Sequence, residues 1–224
     1  MKRFNQFVMC LLASVLALNV SAQDEKPILK TQPVGFVLTN LLGHTVVSVY
    51  HRGVKDIKWK TENLTVEPMD KSKMNAFNAP SISNRGGVVD TQKTPKENIY
   101  SLYAKEYGPG MVEVTGVTDS GEVLKSSLMF GVGDGLNDNL KLKTPEEIVK
   151  DGDSHTLKLK INRDVKRVLV YVNGQDKYYY QKVSGRRAKI KLDLSDVTKN
   201  TLIFVLAYDA EYKSKYVYVK LNVK

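Results

Sequence analysis

The chain has 224 residues, 34 of them lysine or arginine against 24 acidic, for a formal net charge of +10, with 42% hydrophobic residues and one cysteine. A single cysteine excludes an internal disulfide framework, and the apolar content excludes a disordered polyelectrolyte. The charge is uneven: Gln23–Leu140 holds 13 basic and 14 acidic residues, whereas Lys141–Lys224 holds 19 and 10.

In chain order, Lys2 and Arg3 give a positive start, Phe7 to Val20 is apolar apart from Ser14 and Asn19, and Val20-Ser21-Ala22 closes the unit. This pattern predicts a secretory signal peptide over residues 1–22. The apolar run is shorter than the roughly 20 residues that cross a bilayer, so no integral span is expected after cleavage; the alternative is an uncleaved anchor. Cleavage after Ala22 also removes Cys10 and leaves no thiol. The expected destination is export to the periplasm or the cell surface.

Beyond the leader, apolar residues recur at a period of two, the strand signal. Residues 23–130 form the first expected domain. Thr45 to Tyr50, Val54 to Trp59 and Asn63 to Pro68 read as strands. Met111 to Asp119 meets the tight turn Asp119-Ser120-Gly121-Glu122 and returns as Val123 to Phe130. Between residues 70 and 96 the alternation fails, and asparagine, serine, proline and Arg85-Gly86-Gly87 dominate. This is expected to be a long irregular loop with one short strand at Gly87-Val88-Val89-Asp90.

Gly131-Val-Gly-Asp-Gly135 then follows an apolar strand. A phosphate cradle needs a helix directly behind its glycines, and none is patterned there. Asp134, Asn137, Asp138 and Asn139 lack the spacing of a calcium loop. Residues 131–145 are therefore expected to form a linker, with the preceding strand ending at Phe130. Thr144-Pro-Glu-Glu147 resembles a capping box opening one helical turn.

Residues 146–224 form the second, basic domain. Leu157, Leu159 and Ile161 alternate with Lys158 and Lys160, and Ile190, Leu192 and Leu194 alternate with Lys189, Lys191 and Asp193. Val168 to Val172 is apolar without a break, which predicts a central strand covered on both faces. Asn173-Gly174 predicts a type I′ hairpin turn, and Val217, Val219, Leu221 and Val223 face away from Tyr216, Tyr218 and Lys220. The whole predicts an all-β protein of two tandem antiparallel β-sandwiches of the immunoglobulin-like (Ig-like) kind.

No catalytic constellation is patterned, and no metal or cofactor is expected. His44, His51 and His155 lack ligand spacing, and most turn aspartates are positioned to bond backbone N–H groups. Trp59 is expected in the first core. The candidate partner surface is Arg163, Lys166, Arg167, Tyr178, Tyr179, Tyr180, Arg186 and Arg187, where arginines and a tyrosine triplet meet across the Ser184-Gly185 turn. The expected partners are envelope proteins or an anionic glycan or lipid surface. No nucleic-acid motif is present, and no nucleic acid is expected.

Ser48-VYHRGVKDIKW and Gly110-MVEVTGVTDSGEVLKSSLMFGVGDGLND resemble an Ig-like domain of the GldM/PorM family, periplasm-spanning proteins of secretion and gliding motility in Bacteroidota. The resemblance covers about residues 40–140. It implies an Ig-like periplasmic module associated with a secretion or gliding apparatus. That family is longer and keeps an N-terminal transmembrane helix, unlike the leader pattern here, and the second half resembles generic bacterial Ig-like modules. The function expected from the whole chain is non-catalytic binding or assembly in the envelope. The alternative is a carbohydrate-binding or accessory domain of a glycan-processing system.

Overall fold

The computed structural model describes residues 26–33, 35–69 and 96–224. The signal-peptide segment lies outside the described residues, as does the irregular 70–96 loop with its short strand, apart from Lys96. The described residues form sixteen strands and no helix.

The first eight strands are β1 (Ile28–Gln32), β2 (Gly35–Asn40), β3 (His44–Arg52), β4 (Val54–Glu62), β5 (Leu64–Pro68), β6 (Lys96–Ala104), β7 (Gly108–Thr118) and β8 (Val123–Gly133). They pair as two sheets, β1-β3-β6-β5 and β2-β8-β7-β4. Taken in chain order as A, A′, B, C, D, E, F and G, these are the A-B-E-D and A′-G-F-C sheets of an immunoglobulin sandwich. Leu29, Val47, Val49, Leu64 and Leu102 on one sheet meet Val112, Val114, Leu128 and Phe130 on the other. Trp59 is half-buried at the margin of this core, 4.6 Å from the Tyr100 ring and edge-on to it.

The remaining strands are β9 (Leu142–Lys143), β10 (Glu147–Lys150), β11 (Ser154–Ile161), β12 (Arg167–Val172), β13 (Tyr178–Lys182), β14 (Arg187–Asp193), β15 (Thr201–Tyr208) and β16 (Ser214–Val223). Their sheets, β10-β16-β15-β12-β13 and β14-β11-β9, enclose a second core. Leu157, Leu159, Ile161, Ile190 and Leu192 pack there against Val168, Val170, Val172, Val205 and Val219. The alternation of β11 and β14 is as the sequence predicts, with apolar residues inward and lysines in solvent.

Four local expectations are corrected. The strand expected to end at Phe130 continues through Gly133, pairing with β2 and β7. Thr144 to Glu147 opens no helical turn: Glu147–Lys150 is β10, drawn into register beside β16, so edge pairing overrides the local capping signal. Two pairings, β2 with β8 and β10 with β16, are parallel rather than antiparallel. Asn173-Gly174 forms no type I′ turn, because Gly174 alone of the two has positive φ, at 91°. Asn173 instead donates its N–H to the Leu202 carbonyl, and Gln175 is tied to the Asp193 carbonyl at 2.8 Å, so the connection lengthens to reach β13 at Tyr178.

A third apolar layer joins the sandwiches. Met129 of β8 is completely buried against Leu169 and Tyr171 of β12 and Leu206 and Tyr208 of β15, with Phe36 and Met111 at its edge. Phe36 stacks on Phe204 at 5.3 Å. The four sheets therefore lie as successive layers, with β2-β8-β7-β4 facing β10-β16-β15-β12-β13. Gly131 and Gly133 sit on the β8 face turned to the second sandwich. A methyl on Gly131 would lie 2.4 Å from Leu206 Cδ2 and 2.9 Å from Phe36 Cζ, and one on Gly133 would lie 2.9 Å from the Tyr212 carbonyl. Their lack of a side chain sets how closely the two sheets approach. Beyond them, Asp134 N–H donates to the Tyr212 carbonyl, the Gly135 carbonyl accepts from Ser214, and Leu140 is fully buried.

Overpacking a close interface costs roughly 1–3 kcal/mol. Gly131→Ala is accordingly expected to lower unfolding stability by about that amount in chemical denaturation; an unchanged midpoint would mean that the junction accommodates a methyl group without loss.

Candidate functional site at the junction of the sandwiches

Where the third layer reaches solvent it opens into a groove of about 650 Å³ between the two sandwiches. Its walls come from both. The end of β4 and the β6–β7 turn contribute Glu62, Asn63, Lys105, Glu106 and Tyr107; β13 and the β15–β16 turn contribute Tyr178, Tyr180 and Tyr212. Asn63 has φ 58°. Its side-chain amide donates to the Glu106 and Pro109 carbonyls at 2.9 Å, and its oxygen accepts from Glu106 N–H at 3.0 Å. One asparagine thus fixes the β6–β7 turn that carries Tyr107.

The aromatic wall is ordered by stacking. Tyr107 and Tyr212 lie nearly parallel with ring centroids 5.0 Å apart. The Arg167 guanidinium covers Tyr212 at 4.2 Å from its centroid and donates to the Asp209 carbonyl at 3.2 Å. Tyr180 and Tyr212 both meet the Tyr208 ring edge-on. Tyr178 donates its hydroxyl to Glu62, a hydrogen bond from one sandwich to the other. Lys125 adds a second polar tie, bonded to Glu113 at 2.5 Å within the first sandwich and to Asp176 at 3.2 Å in the second.

Burial and neighbouring oxygens raise the tyrosine pKa values. Tyr178 is raised well above the ordinary range by desolvation and by donation to Glu62. Desolvation does the same for Tyr208. Tyr180 is pushed up to about 12, by desolvation first and then by the neighbouring Tyr212 hydroxyl.

The eight residues singled out from sequence separate into groups. Arg163, Lys166 and Arg186 are exposed at one end of the second sandwich, where the β11–β12 and β13–β14 turns are bridged by backbone bonds from Ile161 to Arg186 and from Val183 to Lys166. Arg187 begins β14 and points outward. Arg167 instead turns into the junction. Tyr178 and Tyr180 face the first sandwich, while Tyr179 faces the other way, and its hydroxyl accepts from Asp193 N–H at 2.7 Å. Tyr107, Tyr212, Glu62 and Glu106 were not identified from sequence; only the fold brings their turns and strand ends together.

The histidines stay apart, and no group of three His, Cys, Asp or Glu side chains suited to a metal ion occurs among the described residues. His44 is exposed with its ring 5.6 Å from Tyr103. The His51 imidazole lies 3.1 Å from the Asn98 amide nitrogen, with its pKa lowered by burial and then by nearby Lys96. Among the described residues no helix is long and apolar enough to cross a membrane.

No protein-family model matches the chain, and no curated protein matches it. Solved structures similar to it include the Yersinia pseudotuberculosis adhesin InvE, at 11% identity and a TM-score of 0.29, over 88% of this chain and 59% of that one. Dpr11 IG1 bound to DIP-gamma IG+IG2, and the tandem Ig repeats of Dlar, are each similar at 12% identity and a TM-score of 0.29, over 89% of this chain and 99% of theirs. This chain thus spans less than two thirds of the adhesin's length. Likenesses this weak carry no argument, and the Ig-like class stands on the strand order of the two sandwiches.

A raised tyrosine pKa means that the folded chain keeps a proton which the unfolded chain releases near pH 10. The resulting stabilisation is complete below that pH and is lost as the pH climbs through the folded values. Ultraviolet titration of tyrosinate is expected to show Tyr208 ionising only with loss of structure, and Tyr178 and Tyr180 ionising well above pH 10. Their titration near that pH with the fold intact would contradict a desolvated junction.

Proposed function

We propose that the protein is a non-catalytic binding and assembly module of the cell envelope, exported by residues 1–22, with residues 134–141, between β8 and β9, connecting its two sandwiches. The observation that carries this reading is the apolar junction. It joins two Ig-like sandwiches into one stiff stack, which spaces and orients binding surfaces without hinge freedom. Stiffness of this kind lowers the ordering entropy of association. Arg163, Lys166 and Arg186, exposed together at one end of the second sandwich, are the partner-facing side chains in this reading. The resemblance of residues 40–140 to GldM/PorM makes a secretion or gliding apparatus the first place to look for that partner.

A second reading, glycan binding, is favoured by the groove. Stacked tyrosines beside carboxylates and a lysine suit a polar ring with an apolar face, and such pockets usually combine apolar walls with few polar groups. In this reading Tyr107 and Tyr180 offer ring surface, and Glu106 and Lys105 offer hydrogen bonds.

The two readings separate in one pair of measurements. Crosslinking of the tagged chain in its native envelope is expected to recover protein partners, and recovery is expected to fall at least several-fold when Arg163, Lys166 and Arg186 are changed to glutamate. Recovery that does not respond to these changes would remove the surface assignment. Selective glycan-array binding that drops about tenfold in Tyr107→Ala, the loss expected for one aromatic contact of about 1–1.5 kcal/mol, would instead establish the groove as a sugar site.

A further inference from the structure

The outermost sheet, β14-β11-β9, has one face in the second core and the other in solvent. Its solvent face is set by register. Lys158 lies opposite Lys189, Lys160 lies opposite Arg187 on one side and Lys143 on the other, and Thr156 lies opposite Lys191. All six cations are exposed, and none makes an ion pair with another described residue. The nearest carboxylate in the register, Asp193 at the end of β14, is taken by Lys177 at 2.6 Å and by Ser195.

This placement works against stability. Like charges directly opposite one another on a sheet repel, and here three such pairs share one face. Solubility alone needs no single-sign face, since interspersed charges serve as well. The arrangement gains only when a polyanion covers it.

The shape of the array indicates which polyanion. Neighbouring strands are about 4.8 Å apart and alternate residues on a strand about 6.6–6.8 Å apart, so the charges form a two-dimensional grid across the three strands. A linear chain would engage one row of it. Among the described residues no aromatic ring stands on this face to stack on a sugar. Five of the six cations are lysines, compact charges on flexible stems that can follow mobile headgroups. We infer that this face docks the protein flat on a bilayer surface bearing anionic phospholipid headgroups. The inference rests on the envelope reading only for where the protein meets such a surface.

The test is co-sedimentation of the full chain with phosphatidylcholine vesicles, with and without phosphatidylglycerol. Binding is expected only with the anionic lipid and is expected to fade at high salt, as screening requires. Replacing Lys158, Lys189 and Lys191 with glutamine is expected to weaken partitioning about a hundredfold, from the usual contribution of each lysine near an anionic surface. It is also expected to raise the melting temperature, which rules out unfolding as the cause. A matched variant with Arg163, Lys166 and Arg186 changed to glutamine has the same net charge and is expected to lose less than about threefold, since those side chains lie off the grid. Equal loss in both variants would reduce the effect to net charge and overturn the assignment. So would equal binding to neutral vesicles, or no vesicle binding beside retention on a polyuronate column. Because purified protein and lipid suffice, the result is independent of whether envelope crosslinking finds a protein partner.

Discussion

The arrangement depends on what covers the second face of β12 and β15. Antiparallel sheets ordinarily keep one face wet, yet here Val168, Val170 and Val172 point into the second core while Leu169 and Tyr171 point out of it and are equally buried. Full burial of side chains of this size contributes roughly 1.5–3 kcal/mol each, so the outward face needs a partner. The first sandwich supplies one in Phe36, Met111 and Met129. Gly131 and Gly133 are its condition, since a methyl at either position would hold the sheets apart. The tyrosine groove is the rim of this contact, where the two sheets diverge and the rings are half in water.

Much of this was legible. Alternation in β11, β14 and β16 gave strands and their inward faces correctly, and the unbroken run Val168 to Val172 correctly indicated a strand covered on both sides. The covering partner was not legible. Met111 stands on the less buried side of β7 with Glu113 and Thr115, where a single methionine attracts no notice. The glycines did carry a signal: spaced by two behind Met129, they put Gly131 and Gly133 on one face, and glycine inside a strand often marks a close approach of another backbone. Read as a break in structure, the same residues suggest a linker.

The groove was less legible for a geometric reason. Alternation shows that Tyr178 and Tyr180 share a face, as they do. It cannot show that the β6–β7 turn of one sandwich and the β15–β16 turn of the other arrive beside them, because that depends on how the sheets are stacked. Thr144 to Glu147 failed differently. The local capping signal was real, but an open edge on β16 offered backbone hydrogen bonds to a segment that a single helical turn could not match.

Stacking four sheets also governs where charge can go. The two inner sheets give much of their outward faces to each other, so polar residues required by alternation concentrate on the outer two. The outer sheet of the first sandwich meets this demand with mixed signs, aligning Lys30, Tyr50 and Glu97 in one row with a 2.8 Å hydrogen bond from Tyr50 to Glu97. The outer sheet of the second meets it with six cations in register with one another, its carboxylate at the end of β14, Asp193, being held by Lys177. Layering therefore explains why the charge lies outside but not why it has one sign, because glutamate or threonine would satisfy the same alternation with less repulsion. The repulsion falls on an outer sheet face that has no protein neighbour among the described residues. A cost placed there is one that folding did not require and that contact with an anionic surface relieves.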